Sequence, residues 1–155
     1  MGHEIERRFL VRNEGWRKRA GKGAPIRQGY VAIGELASVR VRIKGGSKAT
    51  LTIKSRTSGL RRSEFEYVIP AKDAAPLMAL CPGTIIEKVR YRVPYRGVTW
   101  EVDVFEGRNT GLVIAEIELR DEQEQFHSPQ WLGEEITSED RYRNASLSLH
   151  PFCGW

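Results

Sequence analysis

Eight stretches of this chain alternate charged and apolar residues with a period of two. They are His3 to Arg12, Pro25 to Ile33, Ser38 to Lys44, Ala49 to Lys54, Ser63 to Ile69, Ile85 to Tyr95, Thr99 to Phe105 and Val113 to Arg120. Period two places successive side chains on opposite faces of a strand, so each stretch is predicted to be a strand with one apolar and one polar face. The polar faces are unusually charged, and each is dominated by one sign. Arg40, Arg42 and Lys44 oppose Val39, Val41 and Ile43, while Lys88, Arg90 and Arg92 oppose Val89, Tyr91 and Val93. Glu64 and Glu66 oppose Phe65 and Tyr67, Glu101 and Asp103 oppose Val102 and Val104, and Glu116 and Glu118 oppose Ala115, Ile117 and Leu119. Glu4, Glu6 and Arg8 share a face opposite Ile5, and Lys54 follows Thr50 and Thr52 on the face opposite Leu51 and Ile53.

A solvated sheet face usually mixes signs, because like charges side by side repel. A chain with eight strands and few helices must also curl or close to hide its edges. Together these constraints predict an α+β fold: a closed eight-stranded antiparallel β-barrel with its charged faces in the lumen, its apolar faces outward and a few peripheral helices over them. Such a lumen needs its charges paired or ligated, since an unpaired buried ion costs several kcal/mol. A polyanion with divalent metal satisfies both sets. Cations take phosphate oxygens, and carboxylates take Mg²⁺ or Mn²⁺, which prefer oxygen ligands.

The remaining elements are short. Gly45-Gly46-Ser47 and Arg96-Gly97 are hairpin turns. Ala71 to Leu80, between Pro70 and Pro82-Gly83, is predicted to be a helix, as are Trp131 to Ile136 and Arg141 to Leu149. The segment Gly15 to Gly23, with Arg17, Lys18, Arg19 and Lys22, is read as a basic helix or a loop. The 155 residues suit one domain, 1–155, and the formal net charge of +5 favours anionic partners. No apolar run approaches the length of a membrane span, and the N-terminus has no apolar leader. Cys81 and Cys153 form no CxxC and read as reduced thiols of a cytoplasmic protein. His3, His127 and His150 lack metal-ligand spacing, and neither a P-loop nor a GxSxG elbow is present.

The order of these motifs resembles a known family. Glu4-Ile5-Glu6-Arg7-Arg8 resembles the ExExK signature of the CYTH superfamily, the triphosphate tunnel metalloenzymes. Arg27-Gln28-Gly29-Tyr30, Val39-Arg40-Val41-Arg42, Leu51-Thr52-Ile53-Lys54-Ser55, Glu64-Phe65-Glu66, Glu87-Lys88-Val89-Arg90-Tyr91, Glu101-Val102-Asp103-Val104-Phe105 and Ala115-Glu116-Ile117-Glu118 follow in the family's order. So does the tail, Trp131-Leu132-Gly133-Glu134-Glu135-Ile136-Thr137 with Asp140-Arg141-Tyr142. One position departs from the signature: the family's lysine is Arg8, which keeps the charge and gains a planar fork.

The resemblance implies metal-assisted hydrolysis of a phosphoanhydride. It assigns Glu4, Glu6, Glu116 and Glu118 to metal, with Glu64, Glu66 and Asp103 as further candidates. It assigns Arg8, Arg40, Arg42, Lys54, Lys88, Arg90 and Arg92 to the triphosphate, where positioning and charge stabilisation carry most of phosphoryl transfer. Catalytic candidates are Lys54, Lys88 and Tyr30. Tyr30 shares its parity with Gln28 and is read either as a general base beside Lys54 or as a hydrogen-bonded core tyrosine.

The family includes inorganic triphosphatases, thiamine triphosphatases, class IV adenylyl cyclases and RNA triphosphatases. The short chain is most similar to the small bacterial members, which implies inorganic tripolyphosphate as substrate. The alternatives are a cyclase or thiamine triphosphatase, and a barrel that binds RNA or polyphosphate without turnover. Nucleic acid is disfavoured because aromatic stacking platforms are scarce on the charged faces. A monomer or homodimer is expected.

Overall fold

The computed structural model describes residues 2–56 and 61–155. Among these, nine strands form one antiparallel sheet: β1 (Gly2–Val11), β2 (Ala24–Ile33), β3 (Ala37–Lys44), β4 (Lys48–Ser55), β5 (Arg61–Ile69), β6 (Ile86–Tyr95), β7 (Val98–Phe105), β8 (Val113–Glu118) and β9 (Leu132–Glu135). Their order is β5-β4-β3-β2-β6-β7-β8-β1-β9, and a further β5–β1 pairing closes the first eight into a ring. One edge of β1 pairs with β8 over Glu6 to Leu10. The other edge is divided, with β5 taking Gly2 to Ile5 and β9 meeting Phe9 and Val11. The eight stretches of alternating sequence are the eight strands of the closed barrel.

The ninth strand corrects the helix predicted over Trp131 to Ile136. Beyond β5, β1 would present a bare edge of N–H and C=O groups, and buried backbone must be paired. Leu132–Glu135 fills that edge, flanked by bonds from Arg12 N to Trp131 O (2.9 Å) and from Ile136 N to Arg8 O (2.8 Å). Pairing with the open β1 edge outweighs a turn and a half of helix, which is marginal by itself.

The helix predicted from Arg141 to Leu149 is broken. Arg143 is extended, between a 3₁₀ turn at Asp140–Tyr142 and helix α2 at Asn144–Leu149. The basic segment after β1 is a 3₁₀ turn, Glu14–Arg19, capped by Asn13 and pinned by the buried Trp16. Helix α1 (Ala74–Ala79) lies within the predicted 71–80.

Both expected tight turns form. Arg96 and Gly97, with φ of 45° and 83°, form a two-residue loop between Tyr95 and Val98, and Gly45 and Gly46, with φ of 64° and 81°, take left-handed values in the loop between the paired Lys44 and Lys48.

The core lies outside the ring. Outward side chains of β1, β6, β7 and β8 (Phe9, Val93, Trp100, Val102, Ala115, Ile117) pack beneath Trp16, Leu119, Phe126, Trp131 and Leu132. Segments 14–19 and 119–132 therefore cover this wall, largely without helix. On the opposite wall α1 covers Val41, Ala49 and Leu51. The chain approaches so closely there that a Cβ on Gly29 would meet Cys81 Sγ at 2.6 Å. A third cluster fills one end of the barrel. Leu10, Ile86, Phe105 and Ile114 share the inward parity of Arg8, Lys88, Asp103 and Glu116, and they pack on Ile136, Tyr142 and Leu147. The lumen thus turns from charged to apolar at that end, and the C-terminal segment supplies the filling.

Trp100 is fully buried, with edge-on contacts to Phe9, Phe126 and Trp131 at centroid distances of 5.5–5.7 Å. Trp100→Ala should cost about 3–5 kcal/mol, measured by denaturant unfolding. A loss under 1 kcal/mol would show that the outer cluster does not support the barrel.

Candidate active site

The ring order sorts the charged strands. β3, β2 and β6 are neighbours and present Arg40, Arg42, Lys88 and Arg90. β7, β8, β1 and β5 form the rest of the ring apart from β4, and present Glu101, Glu116, Glu118, Glu4, Glu6, Glu64 and Glu66. A basic arc therefore faces an acidic arc across one cavity of about 610 Å³. The described lining carries eleven basic side chains against eight acidic ones, so the cavity favours an anion. Apolar lining is sparse, chiefly Ile33, Leu149 and the ring of Tyr30.

Ion pairs stitch the arcs together. Arg90 bonds Asp103 through Nε (2.7 Å, Oδ1) and Nη2 (2.8 Å, Oδ2), and lies 3.4 Å from Glu101 and 3.5 Å from Glu116. Lys88 Nζ donates to Asp103 Oδ2 at 2.7 Å. Burial alone would raise the Asp103 carboxyl, but the charges of Arg90 and Lys88 outweigh it and hold the group well below the usual carboxylate range. Burial also lowers the Lys88 ammonium from its ordinary value, against the pull of Asp103.

The basic arc is crowded. Desolvation and the neighbouring Arg40 and Arg90 push Arg42 down to about 10, and the buried Arg40 Nε has no acceptor. Gln28, wholly buried, accepts Arg42 Nε at 2.7 Å and so orients it.

The acidic arc is equally strained. Burial, a hydrogen bond with Glu4 and the Glu4 charge push Glu6 up to about 7, and burial with Glu4, Glu6 and Glu101 raises Glu118. Lys54 Nζ pairs with both Glu4 oxygens, donating to Oε1 at 3.2 Å and lying 2.9 Å from the buried Oε2. An all-oxygen set of crowded, partly buried carboxylates fits a hard divalent cation. Among the described residues no three His, Cys, Asp or Glu are gathered around a single point that could hold an ion. Lys54 holds Glu4, while Arg8 and Arg90 contact Glu116. A cation would enter by exchanging these partners.

The structure places the other predicted residues as follows. Tyr30 lines the cavity, but its hydroxyl accepts from Gln28 Nε2 at 3.4 Å and makes no bond to Lys54, whose ammonium is turned to Glu4. Asp103 faces inward but is fully buried behind Lys88 and Arg90, outside the lining. Arg92 shares the parity of Lys88 and Arg90, yet it is exposed and lies off the cavity opposite Glu101.

Several lining residues were not among those predicted. Glu101 faces the cavity where Asp103 does not, Lys48, Arg56 and Arg62 add cations, and Asp140, Arg143, Asn144 and Ser146 enter from the C-terminal segment. That segment is tied down by Arg8, whose Nη2 donates to the Tyr142 carbonyl at 2.7 Å while Nε lies 3.4 Å from Glu116. The arginine fork thus spans from the acidic arc to the C-terminal segment.

The CYTH domain family model matches residues 2–149. The chain belongs to the CYTH domain family. It is 45% identical over 153 residues to an inorganic triphosphatase of Acetivibrio thermocellus, spanning 98% of this chain and 97% of the relative. It is 35% identical over 151 residues to an inorganic triphosphatase of Nitrosomonas europaea, at 94% and 97% coverage. The crystal structure of an inorganic triphosphatase matches this CYTH chain with a TM-score of 0.68 at 33% identity, covering 94% of one and 97% of the other. A putative adenylyl cyclase from Hippeastrum, described as having a dominant triphosphatase activity, matches with a TM-score of 0.58 at 16% identity over 78% of this chain and 80% of the other. At that identity the likeness is one of fold.

Two outcomes follow from this geometry. Arg8→Lys should lower the melting temperature, because a buried carbonyl that loses its donor costs about 1–3 kcal/mol; an unchanged melt would detach Arg8 from the C-terminal segment. The second concerns Glu6, whose carboxyl titrates near 7 when folded against an ordinary 4.5. Between those values the folded chain keeps a proton that the unfolded chain releases, so stability falls as pH rises through this window. Thermal melts in EDTA should show Glu6→Gln gaining on the wild type from pH 4.5 to 7 and levelling above. A constant difference across that range would contradict the assignment.

Proposed function

We propose that this CYTH chain is a divalent-metal-dependent inorganic triphosphatase that hydrolyses tripolyphosphate with one water to pyrophosphate and phosphate. The observation that carries this reading is the facing pair of arcs, basic on β3, β2 and β6 and acidic on β7, β8, β1 and β5, around a cavity with little apolar lining. Arg40, Arg42, Lys54, Lys88 and Arg90 bind and orient the phosphate chain and stabilise charge that develops on its oxygens. The free Arg40 Nε and the mutual repulsion around Arg42 are relieved by a bound anion. Glu4, Glu6, Glu116 and Glu118 hold Mg²⁺ or Mn²⁺, with Glu64, Glu66 and Glu101 also facing the cavity. The metal supplies charge neutralisation and a water of lowered pKa. Two relatives named inorganic triphosphatase, each matched over nearly its whole length, support the substrate choice.

A nucleotide or thiamine end would find few apolar side chains to hold its ring, so these substrates are expected to be poorer. No helix among the described residues is long and apolar enough to cross a membrane. The cysteines are both free, which fits a reducing cytoplasmic setting.

Phosphate release from tripolyphosphate, ATP and thiamine triphosphate, with Mg²⁺, Mn²⁺ or EDTA, tests the reading. The expected result is the highest kcat/KM for tripolyphosphate, no turnover in EDTA, and loss of turnover with fold retained in Glu116→Gln. Cyclic AMP and pyrophosphate formed from ATP at a higher kcat/KM would make the protein a cyclase instead. Binding of tripolyphosphate without turnover under any metal would leave a binding barrel.

A further inference from the structure

Lys88 is the most deeply buried charge that borders the cavity, with no exposed side-chain surface. An ammonium has three N–H donors and no acceptor. One goes to Asp103 Oδ2 at 2.7 Å and another to Asn144 Oδ1 at 3.2 Å. The ring of Phe105 lies beneath, its centroid 5.4 Å from Nζ. Among the described residues the third N–H has no acceptor, and Lys88 borders the cavity. Two acceptors and one ring thus set the direction of the ammonium's third N–H.

Asp103 cannot set that direction alone, because both its oxygens are shared with Arg90. A lysine held by one shared carboxylate is free to swing about it on a flexible four-carbon stem. Asn144 supplies the second fixed point. It sits at the start of α2, a segment held against the barrel by Arg8 on the Tyr142 carbonyl and by the apolar packing of Tyr142 and Leu147.

We propose that Asn144 is a positioning residue for triphosphate hydrolysis, fixing the Lys88 ammonium in the cavity wall jointly with Asp103. This rests on the triphosphatase reading, deepens it, and adds the C-terminal segment to the machinery of the site. Asn144 acts through Lys88 and need not touch substrate.

The test is a double-mutant cycle. Asn144→Leu keeps the volume and removes the acceptor. It should lower kcat/KM for tripolyphosphate about ten-fold, the loss of one hydrogen bond to a charged donor, with the effect mainly on kcat; the melting temperature should also fall, because a buried N–H loses its acceptor. In a Lys88→Met background, Asn144→Leu should cause no further loss, since the group it orients is gone. Asn144→Gln, which keeps an amide oxygen on a longer arm, should recover part of the activity. If Asn144→Leu proves unstable, Asn144→Ala takes its place in the same cycle. Additive losses, or a kcat/KM unchanged in Asn144→Leu, would overturn the proposal.

Should the wild type release no phosphate from tripolyphosphate, the functional reading fails by itself. The cycle is then read in the rise of melting temperature that tripolyphosphate confers on metal-free protein. Non-additivity there would keep Asn144 as the partner that orients Lys88 towards an anion, and additivity or the absence of any rise would remove it.

Discussion

The structure turns on one electrostatic constraint: a closed ring of strands has buried rows of like charge on its inner face. Neither row is stable alone. Burial, with the neighbouring Arg40 and Arg90, depresses Arg42, and burial, with the adjacent Glu4, raises Glu6. The ring resolves this by opposition, setting the basic strands against the acidic ones, with Arg90 and Lys54 reaching across to carboxylates and Arg8 pairing with Glu116 inside the acidic arc. Bridging is incomplete: Arg40 Nε has no acceptor, and Glu6 and Glu118 stay crowded among other carboxylates. A ligand carrying dense negative charge together with a divalent cation complements both deficits at once. The strain of the lumen and its binding preference are therefore the same physical fact.

Much of this was legible in the sequence because a strand writes its two faces as odd and even positions. Parity sends Arg40, Arg42, Lys88, Arg90, Glu4, Glu6, Glu116 and Glu118 to one side, and the structure gathers them around one cavity. Parity says nothing about height along the barrel. Glu101 and Asp103 share a face, yet one lines the cavity and the other lies behind its cations. Arg92 follows Lys88 and Arg90 on the same strand but has left the cavity. At the other end, Leu10, Ile86, Phe105 and Ile114 continue the inward parity as apolar residues and pack into the end filling.

The C-terminal segment was least legible. Residues 131–136 have no period of their own and take strand form only because β1 offers an open edge. The contributions of Asp140, Arg143 and Asn144 depend on a turn, an extended residue and a short helix in succession. Such segments leave no periodic trace. Arg8 was noticeable as a departure from the family signature, but its reach to the Tyr142 carbonyl is a three-dimensional fact.

That same contact joins the first strand to a residue 134 positions later. β1 also touches β5, β8 and β9, and so closes the ring against strands from the whole length of the chain. During synthesis, then, the early hairpins can pair as they emerge, but their charged inner faces have no opposing wall. The two arcs can face each other only once β8 has been made and has met β1, and until then the rows of like charge stay in water.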